Sequence, residues 1–282
     1  MSNKIETLNM ETQIMEKETL TKQEEQIQKG WEASRLNEVV KRLKANENLQ
    51  EIMNSLPGFR EAFTDLDTID CSDGRVLSGK KIGIAGSGLL LSPEERLLFI
   101  ERFKGKIKEV TTHRDCGAAA IKFADLKTKS PDLIPAGLET SDEYGTYTGQ
   151  KIAEELGAKH RFLDMPEMAS EYHNETAIVL DATARFDSTN LEKFPAHFVC
   201  TGAGLGFSRE YMKSELETLA GIALGHHGFG KERFSTNDPF YIIVVGKDSS
   251  EMAAWENAAT EVAAKFEGRV AVKGFVSPET ME

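Results

Sequence analysis

The sequence predicts an α/β fold: a mostly parallel central sheet flanked by helices, with an N-terminal helical arm. Three observations predict it. Short apolar runs bounded by turn residues recur along the chain, from TDLDTID before Cys71 to RVAVKGFV at 269–276. Segments with apolar positions at helical spacing fill the intervals, and that alternation is expected of a parallel sheet with crossover helices. The first 56 residues differ in kind, being polar, charged and poor in glycine and proline.

Taken in order, residues 1–56 form the arm, where IQKGWEASRLNEVVKRLKANENLQEIMNSL carries a helical period that stops near Pro57 and Gly58. An amphipathic arm of this kind packs on its own domain or on a second subunit, and its first ~20 residues are expected to be disordered. Residues 57–282 form a single α/β domain. Its strands are expected at 64–70, 80–86, 106–113, 177–181, 197–200, 241–246 and 269–276. Helices are expected at 93–104, 119–127, 146–158, 208–221 and 249–266, the last with Trp255 in core packing. No internal repeat or low-complexity tract is evident.

Composition narrows the function classes. The chain has 282 residues, 40% apolar and 28% charged, enough to bury a core without staples. No apolar run approaches the ~20 residues of a membrane span. The N-terminus lacks the apolar core of a signal peptide, so a cytoplasmic protein is expected. A net charge of -12 argues against nucleic-acid and anionic-membrane partners but is silent on a small neutral substrate. Three cysteines in a chain this long are not a disulfide framework, and beside charged groups they read as ligands or nucleophiles.

Two fragments carry chemistry. CSDGRV places Cys71, Asp73 and Arg75 just past the first strand, and THRDCGAA places His113 and Cys116 just past the third. Ligands bind at the carboxyl ends of strands in parallel sheets, so the two fragments can converge. Two thiolates and an imidazole suit zinc, and a catalytic zinc keeps a fourth position for water. Cys200, at the end of another strand, is a candidate fourth ligand that would close the site. Asp73 and Arg75 favour an open site, since such a carboxylate can accept a hydrogen bond from metal-bound water while the guanidinium fixes it.

C-x-D-x-R followed by H-x-x-C resembles the zinc site of the β-carbonic anhydrases, over roughly residues 66–125. The resemblance implies a Zn2+ cofactor held by Cys71, His113 and Cys116, with Asp73 and Arg75 as the catalytic dyad. It implies reversible hydration of carbon dioxide to bicarbonate by a zinc-bound hydroxide, with the fourth ligand water, Asp73 or Cys200. The alternatives are hydrolysis of carbonyl sulfide or carbon disulfide, and a non-catalytic zinc-binding interaction protein. A homodimer or higher assembly, with N-terminal helices wrapping the neighbour, is implied as well. The chain departs from the family at Gly74, where serine is usual, and in GIAGSG, which keeps only Ala85 and Gly86 of an Arg-Asn-Ala-Gly segment. Residues 126–240 have no assigned counterpart.

Other features are weighed as follows. Gly83, Gly86 and Gly88 invite a dinucleotide reading, but no acidic residue ends the next strand, and the stretch is expected to pass close to the metal. Gly202, Gly204 and Gly206 read first as a turn before a helix from Ser208 and second as an anion loop. His226 and His227 could relay protons, while His173 and His197 are unremarkable alone. Asp181, Arg185 and Asp187 read as a surface ion pair.

Overall fold

The computed structural model describes residues 37–56, 66–76, 81–168, 173–187, 194–225 and 233–277, with a few positions between 25 and 33. The fold is α/β with parallel strands throughout, arranged as two four-stranded sheets. The first has the order β2-β1-β3-β4, from β1 (Thr68–Asp70), β2 (Lys81–Gly83), β3 (Glu109–His113) and β4 (Lys159–Leu163). The second has the order β6-β5-β7-β8, from β5 (Ala177–Asp181), β6 (His197–Cys200), β7 (Phe240–Gly246) and β8 (Val270–Val276). All seven expected strands are present; β4 is the addition.

Seven helices complete the named elements: α1 (Glu38–Lys44), α2 (Leu49–Ser55), α3 (Pro93–Phe103), α4 (Gly117–Lys129), α5 (Ser141–Leu156), α6 (Arg209–Leu224) and α7 (Ser249–Ala263). Their starts are legible in local chemistry. Ser92 and Glu95 form a capping box at α3, with Pro93 in its first turn, and Thr140 and Glu143 form another at α5. Ser208 and Asp248 accept backbone N–H groups at the starts of α6 and α7.

The arm helices α1 and α2 bury Val39, Val40, Leu43, Ile52 and Met53 against one face of the chain's own second sheet, on Val179, Ile243 and Phe275. Gln50 seals the outer strand: its Oε1 accepts the Val276 N–H at 2.7 Å and its Nε2 donates to the Val276 carbonyl at 3.3 Å. The edge of β8 is thereby paired at its last residue.

The two sheets repeat one topology, with the strands of each half ordered second, first, third, fourth. They meet at their β2 and β6 edges. The Val199 N–H donates to the Ser72 carbonyl at 2.8 Å and the Thr201 N–H to the Gly83 carbonyl at 3.0 Å. As β6 ascends it therefore passes from beyond the end of β1 down to β2, in the sense opposite to its neighbours. The carboxyl end of each sheet thus faces the amino end of the other, as across a two-fold axis. Gly83 makes the approach possible, because a Cβ there would lie 2.3 Å from the Val199 carbonyl oxygen. One apolar core runs through both halves, including Ile82, Phe99, Phe198, Cys200 and Leu216.

Candidate metal centre

Cys71 is the first residue after β1, His113 the last of β3, and Cys116 the residue preceding α4. All three are buried, and their ligand atoms lie within 4.8 Å of one another, with the two sulfurs 3.8 Å apart. His113 Nδ1 donates to the Arg114 carbonyl at 2.9 Å, so Nε2 is the nitrogen left for the cluster. That Nε2 is buried and makes no hydrogen bond. An inward imidazole nitrogen beside two thiols is the donor set zinc takes, and the residues fit such an ion. Cys200 does not join them: it is fully buried, and burial pushes its thiol pKa up. Cys200 lies outside the group of ligand atoms within 4.8 Å of one another, so the closed four-residue set is not formed.

The electrostatics of the cluster favour a cation. Cys116 lies at hydrogen-bond distance from Cys71 and holds the Cys71 thiol well below its ordinary range, against the cost of burial, with His113 helping. The partner effect and burial push Cys116 the other way. A backbone donor, the Gly86 N–H at 3.3 Å, also points at the Cys71 sulfur, which puts GIAGSG beside the thiols as expected. Burial opposes charge on His113, but Cys71 and Asp73 outweigh it and raise its pKa to about 9. A pocket that draws a proton onto a buried imidazole this strongly offers negative charge to a divalent ion.

Asp73 and Arg75 form a buried pair. The guanidinium donates to Asp73 through Nη2 at 2.7 Å and through Nε at 3.1 and 3.2 Å, and the Arg75 N–H adds a bond at 2.9 Å. Asp73 Oδ2 lies 3.7 Å from His113 Nε2 and 3.9 Å from His173 Nε2. Burial alone would raise the Asp73 pKa; His173, His113 and Arg75 together drive it well below the usual carboxylate range. His173 is held in turn by Glu175, 3.1 Å from Nδ1, and Glu175 also accepts the Gly74 N–H at 3.1 Å. Glu175 and Asp73 raise the His173 pKa against burial.

His173, Glu175 and Lys81 are site residues that the sequence did not reveal. His173 and Glu175 precede β5 and reach Asp73 because the amino end of the second sheet faces the carboxyl end of the first. No local signal joins positions 100 residues apart. Lys81 is a buried lysine whose ammonium donates to the carbonyls of Val76, Asp73 and Cys71 at 2.9, 3.1 and 3.4 Å, which shapes the whole CSDGRV loop.

Beneath the cluster, Glu215 of α6 accepts the Ala85 N–H at 2.5 Å and the Ser72 hydroxyl at 3.1 Å, while its Oε2 makes no hydrogen bond. Burial, opposed by those two donors, raises its pKa to about 7. A folded pKa above the ordinary value means stability that is full below about pH 4.5 and declines as pH rises through 7. Glu215→Gln is therefore expected to gain on wild type between pH 5 and pH 8, by on the order of 3 kcal/mol. Urea midpoints at the two pH values measure this, and a difference independent of pH contradicts it.

The remaining candidates are settled by position. Asp181 is not on the surface: it is fully buried, accepts N–H groups from Thr183 and Phe186 and the Thr183 hydroxyl, and burial raises its pKa to about 6. It shapes a turn. Gly202 and Gly204 pack against Phe207 and Ala184 in the turn ahead of α6. His197 is buried, donates Nδ1 to the Pro195 carbonyl at 2.6 Å, and burial lowers its pKa to about 4. His226 and His227 lie outside the described residues.

No protein-family model matches the chain, and no curated protein or solved structure matches it. Among the described residues, no helix is long and apolar enough to cross a membrane.

Proposed function

We propose that the chain is a zinc-dependent lyase that hydrates carbon dioxide reversibly to bicarbonate, as its resemblance to the β-carbonic anhydrases implies. The observation that carries this reading is the convergence of Cys71, His113 and Cys116 beside an ionised Asp73 clamped by Arg75. Zinc held by those three residues would supply a Lewis acid that lowers the pKa of bound water to about 7.

The chain's own residues would do the rest. Asp73, kept ionised, can only accept hydrogen bonds on its free lone pairs, so it would orient an attacking water without taking its proton. Arg75 holds that carboxylate in one orientation, and His173 with Glu175 braces it from the opposite half. Ala85, Leu89, Ala118 and Ala119 pack with Cys71 and Cys116 in a small apolar cluster. Such a wall favours a small, neutral substrate over a charged product, which helps bicarbonate leave. Reduced thiols of this kind suit the cytoplasm. The expected homodimer draws no support from the described part of the arm, because α1 and α2 spend their apolar face on their own second sheet.

Stopped-flow carbon dioxide hydration tests the reading. Wild type is expected to exceed its chelator-treated background, and Asp73→Ala to lose at least ~100-fold in kcat/KM while keeping zinc. Wild type no faster than background overturns it.

A further inference from the structure

The repeated topology gives each half a carboxyl sheet end with the same parts, and the metal cluster occupies that of the first half. In the second half the corresponding positions are Ala182 after β5, Gly246 at the end of β7, and Asp248 before α7, where the first half has Cys71, His113 and Cys116. That set holds no thiol and no imidazole. The place is nonetheless a cavity of about 660 Å³, walled by the loops after β5 and β6 and by the amino ends of β1 and β3.

Its lining has an unusual charge for a chain of net -12. Arg102, Lys106, Lys108, Arg185 and Lys247 line it, and Asp67 is the one carboxylate among the described lining residues. Lys108 is taken up by Asp67 at 2.6 Å, and Arg102 donates to the Leu205 carbonyl at 2.6 Å, so these two build the wall. Lys106 is exposed and has no ion-pair partner among the described residues, while Lys247 across the cavity is also exposed and lies 3.6 Å from Glu251 Oε1. With Asp67 and Glu251 each matched to one lysine, the five cations around this concave sheet end still outnumber the carboxylates, and an anion bound there would relieve their mutual repulsion.

We propose that this second sheet end is a binding site for a small oxyanion, so that the chain pairs a metal centre in one half with an anion site in the other. The proposal stands on the cavity and its cations and does not require the metal centre to be catalytic. The cavity is larger than one phosphate group, so the anion is either free or carried on a small molecule; both present the same oxygens to the cations.

Isothermal titration of the full-length protein with inorganic phosphate, and separately with bicarbonate, at fixed ionic strength tests it. Saturable binding to one site per chain by either is expected, phosphate marking a preference for a dianion and bicarbonate a site for the reaction product. The double variant Lys106→Glu, Lys247→Glu is expected to weaken that binding at least ~10-fold with an unchanged circular dichroism spectrum and zinc content, since both side chains are exposed. Absence of binding to wild type, or equal affinity in the double variant, overturns the proposal. Binding that survives the double variant but disappears when zinc is chelated assigns the anion to the metal and overturns it equally.

Discussion

Replacing Cys116 by serine is expected to reduce bound zinc from about one ion per chain to under a tenth of that, read by elemental analysis after gel filtration. Carbon dioxide hydration should fall with it to the chelated background. Cys116 makes no side-chain cap bond at the start of α4, and serine is favoured at such a position, so the helix survives while a thiolate is lost. The variant also removes the group that holds Cys71 low, so it damages two ligands at once. Full zinc occupancy in Cys116→Ser would show that the ligand set is wrong, and the proposed reaction would go with it.

The second large effect is expected from Gly74→Ser, the change that gives the chain the residue usual in the family it resembles. A Cβ at Gly74 would lie 2.2 Å from the His197 carbonyl oxygen and 2.8 Å from Glu175 Cγ. The nearest obstacle is backbone of β6, which cannot swing aside as a side chain would. Overpacking of this kind costs ~1–3 kcal/mol or more, and here it also pushes Glu175 away from His173 and the Gly74 N–H. The unfolding free energy from urea melts should drop by that amount and activity should fall as well. A variant as stable as wild type would mean that the two halves do not meet as closely as Gly74 requires. The departure at this position thus has a steric cause: glycine stands there because the second half does.

Much of the architecture was legible because its signals are local. Strands β5 to β7 are wholly buried runs such as AIVLD and YIIVVG, and an apolar run with β-branched residues announces itself. β4 did not, because KHRFL is an edge strand whose Lys159 and Arg161 face solvent and whose Leu163 alone is buried. The residues of the candidate metal centre stood out in the sequence because three cysteines are few and because Cys71 and His113 sit at strand ends. What the sequence hid depends on the seam between the halves. The repeat left little trace, since the ligand positions of the first half are Ala182, Gly246 and Asp248 in the second, and the pieces that still match, such as the Ser92 and Ser208 caps, are common to helices in general. His173 and Glu175 were invisible for the same reason: their role exists only once β6 lies against β2. Cys200, by contrast, drew attention by its residue type, and its place in the core removes it.

The wall of the candidate metal centre that carries His173 and Glu175 belongs to the half that lacks Cys71, His113 and Cys116. Were the two halves separate chains, each centre would last only as long as the pair stayed together, and a low protein concentration would pull it apart. Here the polypeptide itself sets the local concentration of one half around the other, in the millimolar range or above for short tethers. A site shared across the seam is then assembled within one molecule, and dilution leaves it whole.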